Sequence, residues 1–394
     1  MFEKLDEPRL DPIISLMSAY REDLRAEKMD LGIGVYRNDE GITPVMSAVK
    51  KAEQELMDNQ LSKGYVGLAG DEAFNQSMID LLLGGTAAEM RASALQTPGA
   101  SGALRLLGEL MYQANPKTTI WVSNPSYVNH QPVMEAAGLK VAFYPYFDPV
   151  SKQLDTEGMM SCVEKLGPDD VLLLHGCCHN PTGVDIELSH WQMIAEMSQK
   201  QGFLPFVDIA YQGFGDGLEA DRAGLKILAD NVDELLVATS CSKNFGLYRE
   251  RTGAAVLVGK TKSEAVKARG LMFEIARATY TMPPDHGAAV VTKILSQPEL
   301  KTLWEAELNQ MLARIKDLRT GLVEAFNQAT GDNRFDYFGR HRGMFSMTGL
   351  SAAQANALRE DHGIYIVGDG RVNVAGLQKD QIDYLVKCFL AIGA

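Results

Sequence analysis

VLLLHGCCHNPTG, residues 171–183, changes character halfway along: four aliphatic residues are followed by a dense polar turn. An uninterrupted apolar run of this length is the mark of a strand buried on both faces, as in a parallel sheet covered by helices. The same transition recurs along the chain. SALQ (93–96) runs into TPGASGA, TIWV (119–122) into SNPSY, FLPFV (203–207) into DIAYQGF, and ELLVAT (234–239) into SCSKNFGLYRERTG, while AAVLV (254–258) supplies a further run. Stretches with helical spacing, 101–113, 187–201 and 218–230, lie between them. Alternation of this kind predicts an α/β fold with a mostly parallel sheet across roughly 90–260 and helices on both faces.

Composition narrows the function. The 394 residues are 46% hydrophobic and 23% charged, and 51 acids against 38 bases give a formal net charge of −13. So acidic a surface argues against nucleic acid and anionic lipid as partners, though not against a small anion held by a few arginines. The opening MFEKLDEPRLDP has early acids and no apolar core, so it does not read as a secretory signal, and no run of about 18 uncharged apolar residues predicts a membrane span. Five cysteines, an odd and sparse set, suit a reducing compartment, and the expected location is the cytoplasm. After residue 297 the pattern becomes a long helix (299–328), a hairpin-like segment GIYIVGDGRVNVAGL and a last helix from 378. The expected division is 46–297 as a large domain, with 1–45 and 298–394 forming a smaller α+β domain from both chain ends.

Ligands of open α/β sheets sit beyond the carboxyl ends of the strands. The segments at those ends would gather Ser101, Tyr127, Asn180, Asp208, Tyr211, Ser240, Lys243 and Arg251 at one crevice. TPGASGALRLLGELM opens a helix whose free N–H groups suit a phosphate; the plainer reading is a glycine-rich cap with Ser101 capping. Asp208, closing an apolar strand, is either a local cap or the partner of a buried cation. Lys243 is either a surface lysine or a desolvated amine of lowered proton affinity, hence a nucleophile. Arg251 follows Glu250 and suits a surface ion pair, and Arg277 near a helix end suits the macrodipole. Arg371 opens a strand beside the turn GDG, where an arginine is either solvated or a bidentate clamp for a carboxylate. HGCCH resembles a metal site, but adjacent Cys177 and Cys178 lack the two-residue spacer of zinc knuckles and are poor disulfide partners. His175, Cys177 and Cys178 therefore read as packing residues, and Asn180 as the one that reaches the crevice.

Taken together, LGIGVYRNDEGITPV, GYVGLAG, QTPGASGALR, SNPSYVNH, HGCCHNPTG, DIAYQGFGDGL, SCSKNFGLYRERTG, ARATYTMPPDHGA, RGMFS and GRVNVAGL resemble, in order and over the whole chain, the class I, fold type I, pyridoxal-phosphate aminotransferases of the aspartate/aromatic group. The resemblance is strongest to the bacterial aromatic amino-acid branch. It implies a large domain with a sheet of the seven-stranded type and transamination of aromatic L-amino acids, L-aspartate or both with 2-oxoglutarate. It also implies pyridoxal 5′-phosphate as a Schiff base with Lys243, which would also move the substrate proton. Asp208 would pair with the pyridinium nitrogen, supported by His130, while Asn180 and Tyr211 would bond the ring oxygen. Ala100, Ser101, Ser240 and Arg251 would hold the phosphate, joined by Tyr65 from the partner subunit of a homodimer. Arg371, Asn180 and Gly34 would bind the substrate α-carboxylate, and Arg277 from the partner subunit the distal carboxylate.

Two positions depart from the family pattern. Tyr127 stands where tryptophan usually stacks on the ring, offering a smaller π face. Met282 replaces a small polar residue, and its thioether would favour aromatic side chains. An aspartate-specific aminotransferase is the alternative. SCSK (240–243) also fits the serine–lysine pair of acyl hydrolases, but the S-x-N and K-T-G elements of that class have no proper match. A dinucleotide-dependent dehydrogenase lacks its G-x-G-x-x-G, and an inactive binding protein would not need the lysine, aspartate and both arginines.

Overall fold

A computed structural model describes residues 1–6 and 12–394. Its centre is a sheet of seven strands: β1 (Ala92–Pro98), β2 (Thr119–Asn124), β3 (Lys140–Pro145), β4 (Asp170–His175), β5 (Leu204–Ile209), β6 (Leu235–Ser240) and β7 (Thr252–Val258). They lie in the order β1-β7-β6-β5-β4-β2-β3. The ladders β3–β2, β2–β4, β4–β5 and β5–β6 are parallel, and only β7 runs antiparallel to its neighbours. The six apolar runs are six of these strands. The seventh, β3, holds the apolar stretch VAFY (141–144), which the strand-end reading leaves aside; it ends the sheet opposite β1, and only Tyr144 of its six residues is fully buried.

Register brings the crevice together. His175 pairs with Asp208 and Asp208 with Ala238, so β4, β5 and β6 end level. Antiparallel β7 begins where its neighbours finish, with Gly253 opposite Ser240 and Thr252 opposite Pro98. The residue just before it, Arg251, is thereby delivered to the same rim as the parallel strand ends.

Helices cover both faces. One face packs Phe74, Met78, Trp191, Phe214 and Trp304 against the sheet, the other Leu104, Leu107, Met272 and Ile275. A third apolar cluster joins Met29 and Leu31 to Leu322, Phe326, Val372 and Phe389. The helix Pro298–Thr330 serves two of these cores, the first through Leu300–Ile315 and the third through Leu318–Phe326. Residues 218–230 form two short helices, Leu218–Asp221 and Ala223–Asn231, meeting at Arg222.

The expected hairpin at 363–377 is absent. Ile364–Tyr365 pairs in parallel with Met29–Asp30, whereas Arg371–Asn373 pairs antiparallel with Phe345–Met347. The turn GDG redirects the chain between two small sheets, because the buried partners of each strand come from distant segments rather than from each other.

Candidate active site

A cavity of about 170 Å³ opens at this rim. Ser101, Tyr127, Asn180, Asp208, Tyr211, Ser240, Lys243 and Arg251 line it, as the strand-end reading expects, together with Gly34 and Ala100, which the resemblance adds.

Asp208 is buried, with Oδ2 2.8 Å from His130 Nε2. Beyond it His130 Nδ1 lies 2.9 Å from Ser126 Oγ, which is 3.2 Å from His175 Nε2. Burial pushes the Asp208 carboxyl upward, but the hydrogen bond and charge of His130, with Lys243 nearby, outweigh it and hold the group below its ordinary value. Its other oxygen, Oδ1, is buried and has no partner among the described residues, an acceptor left open in a site lined by this residue.

Burial pushes the Lys243 ammonium down to about 8; the Asp208 charge opposes this and Arg251 reinforces it. The amine lies 4.7 Å from the centre of the Tyr211 ring. The lysine loop is clamped from behind: Trp304 Nε1 donates to Asn244 O at 2.7 Å and stacks on Phe245 with ring centres 4.4 Å apart. Burial also keeps the Tyr211 phenol protonated, despite the nearby Arg371 cation.

The helix Gly99–Ala114 points its start into the cavity. Pro98 holds the cap position and no side chain caps the helix, so Ser101 is not the cap but the third helical residue, and the first N–H groups are left for a ligand. Gly99 adopts φ +68°, and a Cβ there would lie 2.5 Å from Arg251 Nη2. A glycine is thus required for Arg251 to lie against the helix start. Arg251 itself sits at φ +53°, a conformation costly to a side-chain-bearing residue, with Nη1 donating to Tyr248 O at 3.0 Å. A positive helix end, a guanidinium and the hydroxyl-bearing Ser101 and Ser240 make this end of the cavity an anion cradle.

At the other end Arg371, only 2% exposed, donates from Nη1 to Asn180 Oδ1 at 2.8 Å and lies 4.7 Å from the Phe345 ring. Its Nε is buried and has no partner among the described residues. Asn180 Nδ2 reaches Tyr211 Oη at 3.4 Å, so the asparagine bridges the arginine and the phenol. Phe345 packs so close to Gly34 that a Cβ there would fall 2.7 Å from its ring.

Other expected residues stand elsewhere. His130 is behind Asp208 and not at the cavity wall. Tyr65 is 92% exposed, Arg277 is exposed and Met282 half-buried, and none of the three lines the cavity of its own chain. His175 is more than packing: it lines the cavity, is held neutral by burial and the neighbouring histidines, and accepts at Nδ1 from Asn180 N at 3.4 Å. Tyr248 and Ser242 are further wall residues that the sequence reading passed over, although both lie in the stretch after β6. Tyr248 Oη accepts from Tyr36 N at 3.1 Å, fastening the N-terminal segment to the site. Cys177, Cys178 and Asp221 bring their ligand-type atoms within 4.8 Å of one another. The Asp221 carboxylate is engaged by the N–H groups of Gly213, Gly215 and Asp216 at 2.7–2.9 Å, and burial pushes the Cys178 thiol up to about 12.

The family model "Aminotransferase class I and II" matches residues 26–389. An aromatic-amino-acid aminotransferase of Pseudomonas aeruginosa is 44% identical over 387 residues, covering 98% of this chain and 97% of that protein. An aspartate aminotransferase of Salmonella typhi is 43% identical over the full length of both. The crystal structure of an aromatic-amino-acid aminotransferase from Burkholderia pseudomallei, covalently bound to pyridoxal phosphate, superposes with a TM-score of 0.96 at 37% identity, covering 100% of this chain and 99% of that one.

Proposed function

This chain belongs to the class I and II aminotransferases, and on that premise we propose that it transfers the amino group of aromatic L-amino acids and of L-aspartate to 2-oxoglutarate, using pyridoxal 5′-phosphate. The observation that carries the reading is the open Oδ1 of Asp208, backed by His130, in the cavity that also holds the Lys243 amine. A buried acceptor of that kind suits a protonated ring nitrogen, and the uncapped helix start with Arg251 suits the phosphate. The residues present therefore fit the cofactor.

When bound, the cofactor supplies an electron-withdrawing ring that takes up the electron pair left at the substrate Cα. The chain supplies the rest. Lys243 Nζ, with proton affinity lowered toward neutrality, would hold the cofactor and, once freed, would carry the proton from the substrate Cα to the cofactor's C4′. Asp208 keeps the ring nitrogen protonated by remaining an anion, and His130 fixes its orientation. Tyr211, held as a phenol, and Asn180 bond the ring oxygen, while Tyr127 offers its face to the ring. Ala100, Ser101, Ser240 and Arg251 hold the phosphate. Arg371, whose Nε awaits an acceptor, takes the substrate α-carboxylate with Asn180 and Gly34.

Tyr65 and Arg277 do their work in the partner subunit's cavity, the first on the phosphate and the second on a distal carboxylate. Their exposure and their absence from the lining of their own chain's cavity support a homodimer in which each subunit completes the other's site. Met282 would accompany Arg277 and add apolar surface for aromatic rings. The cytoplasm fits five cysteines that are all free, and no helix among the described residues is long and apolar enough to cross a membrane.

Purified protein should transaminate phenylalanine, tyrosine and aspartate with 2-oxoglutarate, and Lys243→Ala should abolish all three activities. Turnover of aspartate alone would reduce the reading to an aspartate-specific enzyme. Turnover of none would overturn it.

A further inference from the structure

A second cavity, of about 470 Å³, shares no lining residue with the first. It lies between the loop Phe214–Asp216, the middle of the Pro298–Thr330 helix and the turn Gly339–Gly343. Four cations line it, Lys316, Arg319, Arg340 and Arg342, against one lining acid, Asp216. Asp216 already bridges Lys316 at 2.9 Å and Arg342 at 2.5 Å, and Asp185, near Arg319 and Arg342, offsets one further charge. The balance stays positive. Arg340 is exposed and, among the described residues, has no carboxylate within ion-pair distance.

Two buried wall residues carry open hydrogen-bonding atoms. Arg319 spends its terminal nitrogens on Phe338 O, Ser346 Oγ, Gly343 O and Phe345 O, all at 2.8 Å, but its Nε has no partner among the described residues. His341 donates from Nε2 to Lys152 O at 2.9 Å, which leaves Nδ1 as an unpartnered acceptor. Burial, with Arg319 and Arg340 nearby, pushes the His341 imidazolium down to about 3, so the ring is neutral and Nδ1 keeps its lone pair. Cations at the mouth, a buried N–H donor and a buried acceptor match one common group: a phosphate that keeps one proton, with acceptor oxygens beside a single O–H.

We propose that this cleft binds a phosphate group, as the free anion or as a small phosphomonoester, and so ties the Phe214–Asp216 loop to the Gly339–Gly343 turn. The assignment does not rest on the transamination reading. Titration calorimetry on protein saturated with pyridoxal phosphate, which keeps the first anion cradle filled, tests it at constant ionic strength. Inorganic phosphate should bind saturably, and Arg340→Gln and Lys316→Gln should each weaken it about tenfold, the scale of one lost charge-assisted hydrogen bond. Both side chains are at the surface, so each variant should melt like the parent without phosphate. Glycerol 3-phosphate binding as tightly would extend the site to phosphomonoesters, while binding of inorganic phosphate alone would restrict it to the free anion. No saturable binding, or binding that neither variant changes, would overturn the proposal.

Discussion

The Lys243 amine offers a perturbation whose sign is set by three neighbours. Burial lowers its proton affinity from 10.5 to about 8, Asp208 pulls it back up and Arg251 pushes it down. At about pH 7.5 a group titrating near 8 is roughly one quarter neutral, whereas one titrating near 10.5 is roughly one part in a thousand neutral, a difference of about 240-fold in reactive amine. The sign follows directly: the neutral amine persists down to about pH 8 and is lost below it, rather than being lost already below 10.5. Reductive alkylation with acetaldehyde and cyanoborohydride, followed by peptide mass mapping, reads this in cofactor-free protein. A small neutral aldehyde is used so that the variants do not alter its binding. The Lys243 rate should rise with pH to a midpoint near 8. Arg251→Gln removes a neighbouring cation and should move that midpoint upward; Asp208→Asn removes a neighbouring anion and should move it downward. A midpoint near 10.5, or two variants moving it in the same direction, would refute the electrostatic argument.

Three further substitutions probe the supports of the site. Gly99→Ala forces a side chain into φ +68°, at about 1–2 kcal/mol, and drives its Cβ against Arg251; cofactor titration should show affinity at least tenfold weaker, and unchanged affinity would contradict the cradle. Asn180→Ala removes the acceptor of a buried arginine whose Nε is already open, a loss of about 1–3 kcal/mol. It should raise KM for amino donors about tenfold or more, and an unchanged KM would speak against Arg371 as the carboxylate site. Trp304→Ala, by emptying a fully buried position and freeing Asn244 O, should destabilise by about 3–5 kcal/mol in urea. A loss under about 1 kcal/mol would show that the long helix does not hold the lysine loop.

Much of this site could be read from the sequence because parallel strands end at one rim, and apolar runs mark where they end. Asp208, Asn180, Ser240 and Lys243 follow such runs directly, and even Arg251 does so through the reversal of β7. What escaped was whatever depended on partners remote in the chain. The edge strand β3 is a plainer omission, since its stretch VAFY (141–144) is as apolar as the runs that mark the other strands. The segment 363–377 alternates like a hairpin around GDG, but local alternation cannot choose between a neighbouring strand and Met29–Asp30 or Phe345–Met347. His175 reads as a packed histidine until the fold sets it at the cavity wall beside Ser126. The roles of Tyr65 and Arg277 came from the resemblance alone, since both are exposed and neither lines the cavity of its own chain.

The central claim is that one lysine, at the end of β6, holds the cofactor. Borohydride reduction of the cofactor-loaded protein, followed by peptide mapping, tests it directly. The account predicts one pyridoxyl group per chain, on Lys243 in the stretch SCSKNFGLYR. Attachment to any other lysine, or no attachment at all, would contradict it.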